Sequence, residues 1–418
     1  MSHVRPRRTR SLRTHLAGLA TALTLAACGE PATGPAPELT ALPRTLTAAE
    51  QAAIAAGNEF SIALLREVNA RKAGENVFIS PFSAAAALGM TLNGANGETF
   101  DAMRSTLGLG GRTPQEINEA YRGLTSLLLS LDPSVDVGIA NAIFYRQGFP
   151  VAPTFVEVNR AFFDAEVEGL DFANQAATLG RVNGWASAKT NGRIDEVLDE
   201  VSPNAIMFLM NALYFKGEWR TQFDPAETQP APFRRDDGTE VSAPLMNRRK
   251  VPIRTGFSQG AQVAELPYGN GAYAMTVVLP PQGTTVDEYV AGLTPARWAQ
   301  LLASLQDTEM DVALPRFRME FEDEWKDVLS AMGMGIAFDD GRADFTGISP
   351  VGGLFLSFVK QNTFVDVNEE GTEAAAVTVV GVELTSAPPS FRADRPFLFA
   401  IRERLSGTLL FVGKLATP

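Results

Sequence analysis

From residue 47 onward the apolar positions recur first with a helical period and later with a period of two. TAAE (47–50) has the form of a capping box, in which Thr and Glu satisfy each other's backbone amides. Ala53, Ala56, Phe60, Leu64 and Val68 then follow helical spacing and predict a first helix. Ser80-Pro81 supplies a cap and a proline at the first helical position, opening a helix of small residues that ends near Gly94. Thr113-Pro114 with Glu116 repeats the device ahead of Ile117, Tyr121, Leu124 and Leu128. Further on, VDVGIANAIFY (135–145), AIMFLMNALYF (205–215), YAMTVVLP (273–280), RFRMEF (316–321) and SFVKQNTFVDV (357–367) favour strand. RPFLFAIRERLSGTLLFVGKL (395–415) reads as a terminal hairpin turning near Ser406-Gly407. Helices gathered early and strands late predict one α+β domain over residues 47–418, without internal repeat.

The pattern before residue 47 is of another kind. Arg5, Arg7, Arg8, Arg10 and Arg13 precede the apolar run LAGLATALTLAA, which together read as a signal peptide over residues 1–27. Leu25, Ala26 and Ala27 lead into Cys28, the only cysteine. This ending resembles the lipobox of bacterial lipoproteins, which implies cleavage before Cys28 and lipidation of its thiol. A plain signal peptide, giving a secreted protein, is the simpler alternative. Residues 28–46 are Pro-rich and read as a semi-rigid tether. The expected location is outside the cytoplasm, on the cell envelope, with an outer membrane or the cell surface favoured.

Composition then narrows the chemistry. Formal net charge is −12, and loss of residues 1–27 removes five arginines and no acids, giving −12 − 5 = −17. Such a chain is a poor partner for nucleic acid. The same cut removes His3 and His15, the only two histidines. A mature chain without histidine, its one thiol lipidated, has no Ser-His-Asp or Cys-His nucleophile, no His-based zinc site and no internal disulfide. Asp339-Asp340 and Glu369-Glu370 read by themselves as solvated surface, and the Gly-rich run around Gly108 as a loop or helix end. No catalytic residue, metal or organic cofactor is expected.

Five separated blocks carry a resemblance. NVFISPFSAAAALGM (76–90), NALYFKGEW (211–219), LPRFRMEF (314–321), EEGTEAAA (369–376) and FRADRPFLFAI (391–401), with FVGKL near the end, resemble serpins in content and order. The resemblance implies a fold of three β-sheets and about nine helices, with an exposed reactive loop near the C-terminus. It implies inhibition of serine proteases: the protease cuts the loop, an acyl-enzyme forms, and the loop inserts as a new strand into the main sheet. A non-inhibitory serpin-fold binding protein, cleaved without trapping, is the alternative. A monomer is expected.

The hinge of that loop would be Glu369, Glu370, Gly371, Thr372, Glu373, Ala374, Ala375 and Ala376. A strand that enters a sheet buries alternate residues. Thr372, Ala374, Ala376, Thr378 and Val380 fall on one face, all small or β-branched and uncharged. No proline occurs from Glu369 to Thr385, so each residue can donate to a ladder. Gly371 is expected to act as a flexible pivot. Counting from the hinge as the family's loops do puts the reactive bond at Thr385-Ser386, preceded by Val382, Glu383 and Leu384. Thr385 suits an elastase-like pocket; a shift by one would make Leu384 the bait and favour chymotrypsin- or subtilisin-like proteases. The resemblance also places Ser80, Ser83 and Asn211 beneath the opening sheet, with Gln361 where the family commonly has histidine. It places Trp219, Arg316 and Glu369 where insertion begins, with an ion pair expected between the last two.

Overall fold

The computed structural model describes residues 1–3, 37–372 and 390–418. Among the described residues the α-helices are α1 (Ala48–Arg71), α2 (Pro81–Leu92), α3 (Gly97–Thr106), α4 (Pro114–Ser130), α5 (Pro153–Phe163), α6 (Gln175–Lys189), α7 (Val286–Ala291), α8 (Pro295–Ala303) and the four-residue α9 (Lys326–Leu329). The strands are β1 (Val77–Ile79), β2 (Asp136–Arg146), β3 (Glu166–Leu170), β4 (Met207–Glu218), β5 (Gln229–Arg234), β6 (Glu240–Ser258), β7 (Ala261–Pro267), β8 (Tyr273–Leu279), β9 (Gln306–Pro315), β10 (Phe317–Glu324), β11 (Lys360–Val367), β12 (Gly371–Thr372), β13 (Ser390–Arg392), β14 (Phe397–Glu403) and β15 (Leu409–Leu415).

The capping signals act as read. The Thr47 hydroxyl accepts from the Glu50 amide at 3.1 Å, and Glu50 Oε2 accepts from the Thr47 amide at 2.8 Å. Thr113 and Glu116 repeat the exchange. In α2 eleven of the twelve residues are buried, which suits a helix enclosed by sheets and other helices. The expectation of helices first and strands later is corrected by the order of elements. Strands β2 to β4 alternate with α5 and α6, and α7 and α8 interrupt the strand-rich half.

The strands form two hydrogen-bonded sheets. One has six strands in the order β10-β11-β12-β4-β2-β3. The other has nine, because β6 runs for 19 residues and joins two of the three implied sheets. It bends at a bulge between Arg248 and Val251, pairing with β5 on one side of the bend and β7 on the other. Phe78, Phe215, Met246, Val277, Phe317 and Phe399 fill the layer between the two sheets. A second core lies under α1, α2, α4 and α5, and α6 covers the outer face of β2 and β4 through Val182, Trp185 and Ala186.

Residues 37–46, expected as tether, lie against this body. The Leu39 amide donates to Asn270 O at 2.9 Å, Leu39, Leu42 and Leu46 pack on the inter-sheet core, and Arg44 grips both carboxylate oxygens of Glu50 at 2.6 and 2.8 Å.

Candidate functional site

At the end of β11 the chain reverses over four residues. The Asn368 amide donates to Gly371 O at 2.9 Å, and Asn368 Oδ1 accepts from the Glu370 amide at 3.1 Å. The returning residues, Gly371 and Thr372, form β12 and stand between β11 and β4: Thr372 faces Val367 on one side and Gly217 on the other. Beyond this point β11 pairs with β10 and β4 with β2, and among the described residues the two facing edges share no ladder. A cleft of about 700 Å³ lies there, lined among others by Ser83, Ala84 and Leu88 of α2, Asn211 of β4, and Gln361 and Thr363 of β11.

Gly371 is not the expected loose pivot. It lies within the ladder, and a Cβ on it would sit 2.1 Å from Gly217 O and 2.7 Å from Glu218 Cα. Glycine is needed here for close backbone approach.

Three sets of contacts hold the reversal. Trp219 donates its ring N–H to Asn368 O at 2.8 Å and its amide to Glu370 O at 2.7 Å, while its ring stacks on Tyr268 with centroids 4.5 Å apart. The Tyr268 hydroxyl lies 2.7 Å from Thr372 Oγ1. Tyr268 is fully buried, and burial pushes its phenol well above the ordinary range. Thirdly, Arg316 Nε lies 2.7 and 2.6 Å from the two carboxylate oxygens of Glu369, and Thr228 Oγ1 also donates to that carboxylate. Glu369 is only 2% exposed, which corrects its reading as solvated surface and supplies the expected ion pair.

The polar cluster lies under the lips of the cleft. Ser80 caps α2 by accepting from the Ser83 amide at 3.3 Å and donates to Leu410 O at 2.9 Å. Gln361, on one lip, accepts from the Ser80 amide at 2.7 Å and donates to Ser80 O at 2.9 Å. Asn211, on the other lip, accepts from the Ser83 hydroxyl and donates to Asn141 Oδ1 at 2.6 Å. Each lip is therefore tied to the first turn of α2. Gln361 satisfies a buried donor and a buried acceptor together, as its amide allows.

Of the residues singled out from sequence, Ser80, Ser83, Asn211 and Gln361 converge in this cluster. Trp219, Arg316, Glu369, Glu370, Gly371 and Thr372 converge at the reversal. Glu373, Ala374, Ala375, Ala376, Val382, Glu383, Leu384, Thr385, Ser386 and Cys28 lie outside the described residues. Thr228, Tyr268, Asn368 and Asn141 were not anticipated. Thr363 was legible, since it shares the inward period of two with Gln361, Val365 and Val367.

A family model described as Serpin (serine protease inhibitor) matches residues 55–418. Serpin B8 of Bos taurus is 34% identical over 373 residues, covering 87% of this chain and 98% of its own. The native crystal structure of tengpin, a thermophilic serpin, superposes with a TM-score of 0.79 at 28% identity, over 92% of this chain and 97% of that one. Human thyroxine-binding globulin in complex with thyroxine superposes with a TM-score of 0.80 at 28% identity, over 89% of this chain and 100% of that one.

Proposed function

The chain belongs to the serpin family, a family of protease inhibitors and not of enzymes, and we propose that it traps serine proteases as a suicide substrate while anchored to the cell envelope by a lipid on Cys28. One observation carries the inhibitory reading: the first two hinge residues past the reversal, Gly371 and Thr372, are already laddered between β4 and β11. Continuing that register sets Ala374 opposite Phe215 and Val365, and Thr378 opposite Asn211 and Gln361. The side of the strand that turns inward is then Ala374, Ala376, Thr378 and Val380, which carry no charge to desolvate.

The chemistry is that of an interrupted hydrolysis. The protease serine adds to the carbonyl carbon of Thr385. The bond to the Ser386 nitrogen breaks, the new amine leaves with a proton from the protease's own acid, and an ester remains. Freed at Ser386, the thirteen residues from Glu373 to Thr385 (385 − 372) extend by about 43 Å at ~3.3 Å each. They draw the tethered protease along the cleft before water reaches the ester. Insertion gains ladder bonds on both edges of the new strand.

The test is to mix the mature domain separately with elastase-, subtilisin- and chymotrypsin-like proteases. A complex that survives denaturing electrophoresis is expected with at least one. Cleaved protein alone in every case rejects inhibition and favours a binding role, of which thyroxine-binding globulin is an example on this fold. For the anchor, Cys28→Ser is expected to move the protein from the membrane fraction to the soluble one; unchanged partition rejects lipidation.

A further inference from the structure

The longest strand carries a basic knot beside both ends of the hinge-and-loop segment. In β6, Arg248 pairs with Val312 and Val251 with Met310, so Arg249 and Lys250 together stand opposite the single residue Asp311. This is a bulge, and Lys250 takes φ +52, a left-handed conformation uncommon for a lysine. Bulges of this kind re-aim side chains at sheet edges. Arg249 and Lys250 are exposed, whereas half-buried Arg248 donates to Gln222 O and braces the bend.

The place of the knot matters more than its charge. Asp311 accepts from the Lys250 amide at 3.0 Å and is itself paired with Ser390, the residue at which the described chain resumes. On the other side, Gln222, which holds Arg248, precedes Phe223, whose amide donates to Glu369 O at 2.9 Å. The knot therefore adjoins both the reversal that leads into the loop and the first described residue after it. Two strand spacings of about 4.8 Å separate the bulge from Ser390. Neighbouring carboxylates do little to quench it. Asp311 is engaged by a backbone amide, Glu227 is 3.9 Å from Arg249 with both half-exposed, and the Lys250 ammonium has no ion pair among the described residues.

We propose that Arg249 and Lys250, positioned by Arg248, form a second contact surface for the attacking protease and select enzymes that are acidic beside the active-site cleft. A chain of net charge −12 would otherwise repel such an enzyme, so a local cation beside the bait acts on the encounter rate more than on the bound state. The inference rests on the reading that proteases attack this loop, and not on their being trapped.

The experiment measures the second-order rate of loop cleavage, whether or not a complex forms. It uses an elastase-type protease and a variant of it with four aspartates added beside its cleft. Arg249→Glu with Lys250→Glu is compared with Lys326→Glu and Arg342→Glu, an equal change in net charge on two exposed residues, one in α9 and one in a turn further along the chain. At low salt the first pair is expected to slow attack by the acidic variant at least tenfold relative to the second pair, within the roughly 10- to 1000-fold range of electrostatic steering. Attack by the parent enzyme should change less than about twofold, and the difference should shrink near 1 M salt, where the screening length is about 3 Å. Arg249→Ala with Lys250→Ala should fall between. Equal slowing of both proteases, or no difference between the two pairs of substitutions, overturns the proposal. Failure to trap any protease rejects the inhibitory mechanism alone and leaves this measurement intact.

Discussion

Arg316 and Glu369 meet where β12 enters the six-stranded sheet, with the guanidinium Nε 2.6 and 2.7 Å from the two carboxylate oxygens. The carboxylate is buried and the Arg316 side chain is 26% exposed. Removing the arginine strands a charge that, among the described residues, only Thr228 still contacts, and truncating one partner of a buried pair is costly because the other stays desolvated. Arg316→Ala is expected to lower stability by about 2 kcal/mol, below the range for a fully buried pair because solvent reaches the arginine. Arg316→Ala with Glu369→Gln should recover part of that loss, since the glutamine leaves no stranded charge. Urea midpoints of the two variants decide it; equal midpoints would mean that the ion pair does not hold the reversal.

Gly371 makes a second prediction, about space rather than charge. The alanine Cβ would meet the backbone of Gly217 and Glu218, and backbone cannot swing away as a side chain can. Gly371→Ala is expected to unseat β12 and lower the melting temperature by several degrees. Gly353→Ala lies in open space but at φ +68, and separates backbone strain from crowding. A Gly371→Ala protein that melts with the parent would show that β12 is not fixed in the sheet.

How much of this was legible in the sequence can be seen at particular residues. Thr47 with Glu50 and Thr113 with Glu116 announced α1 and α4, because a capping box is local. Thr285 with Glu288 makes the same exchange at α7 and passed unread, since only six residues follow before Gly292 ends the helix. Strand β6 was hidden by its own bend: Pro244, Pro252 and the Arg248-Arg249-Lys250 bulge break the period of two that a flat strand would show. At the site, the resemblance pointed to Ser80, Ser83, Asn211, Gln361, Trp219 and Arg316. Tyr268 and Thr228 could not be found that way, because they reach the hinge from 104 and 141 residues away along the chain.

Gln361 tests whether the cluster needs the histidine common in the family. Its amide meets both backbone groups of Ser80, 281 residues away, inside the fold. Gln361→Ala leaves the buried Ser80 amide unpaired, while Ser80 O keeps its bond from the Ala84 amide, and is expected to cost about 1–3 kcal/mol. Gln361→Glu keeps the acceptor and loses the donor, so it should be destabilising near neutral pH. Gln361→His offers one donor and one acceptor and should retain most of the stability. Thermal melts of the three variants give the order; a histidine variant as unstable as alanine would show that the geometry is specific to glutamine.

The Tyr268 phenol gives a prediction in pH. Burial, opposed by the hydrogen bond to Thr372, holds its pKa above the ordinary value of about 10. The folded protein therefore keeps a proton that the unfolded chain releases above pH 10. With fewer protons bound when unfolded, stability falls as pH rises past that value, and Tyr268 contributes no slope below it. Tyr121, Tyr273 and Tyr289 are raised by burial in the same direction, so the wild-type decline sums several groups. Tyr268→Phe removes one proton from that sum and also loses the contact to Thr372. At pH 7 it should be less stable than wild type by about 1 kcal/mol. Above pH 10 its stability should fall less steeply, by up to about 1.4 kcal/mol per pH unit, so the two curves converge. Denaturation midpoints from pH 7 to 11 measure both effects. Parallel curves throughout would mean that the phenol ionises in place and that the Tyr268–Thr372 contact does not depend on its proton.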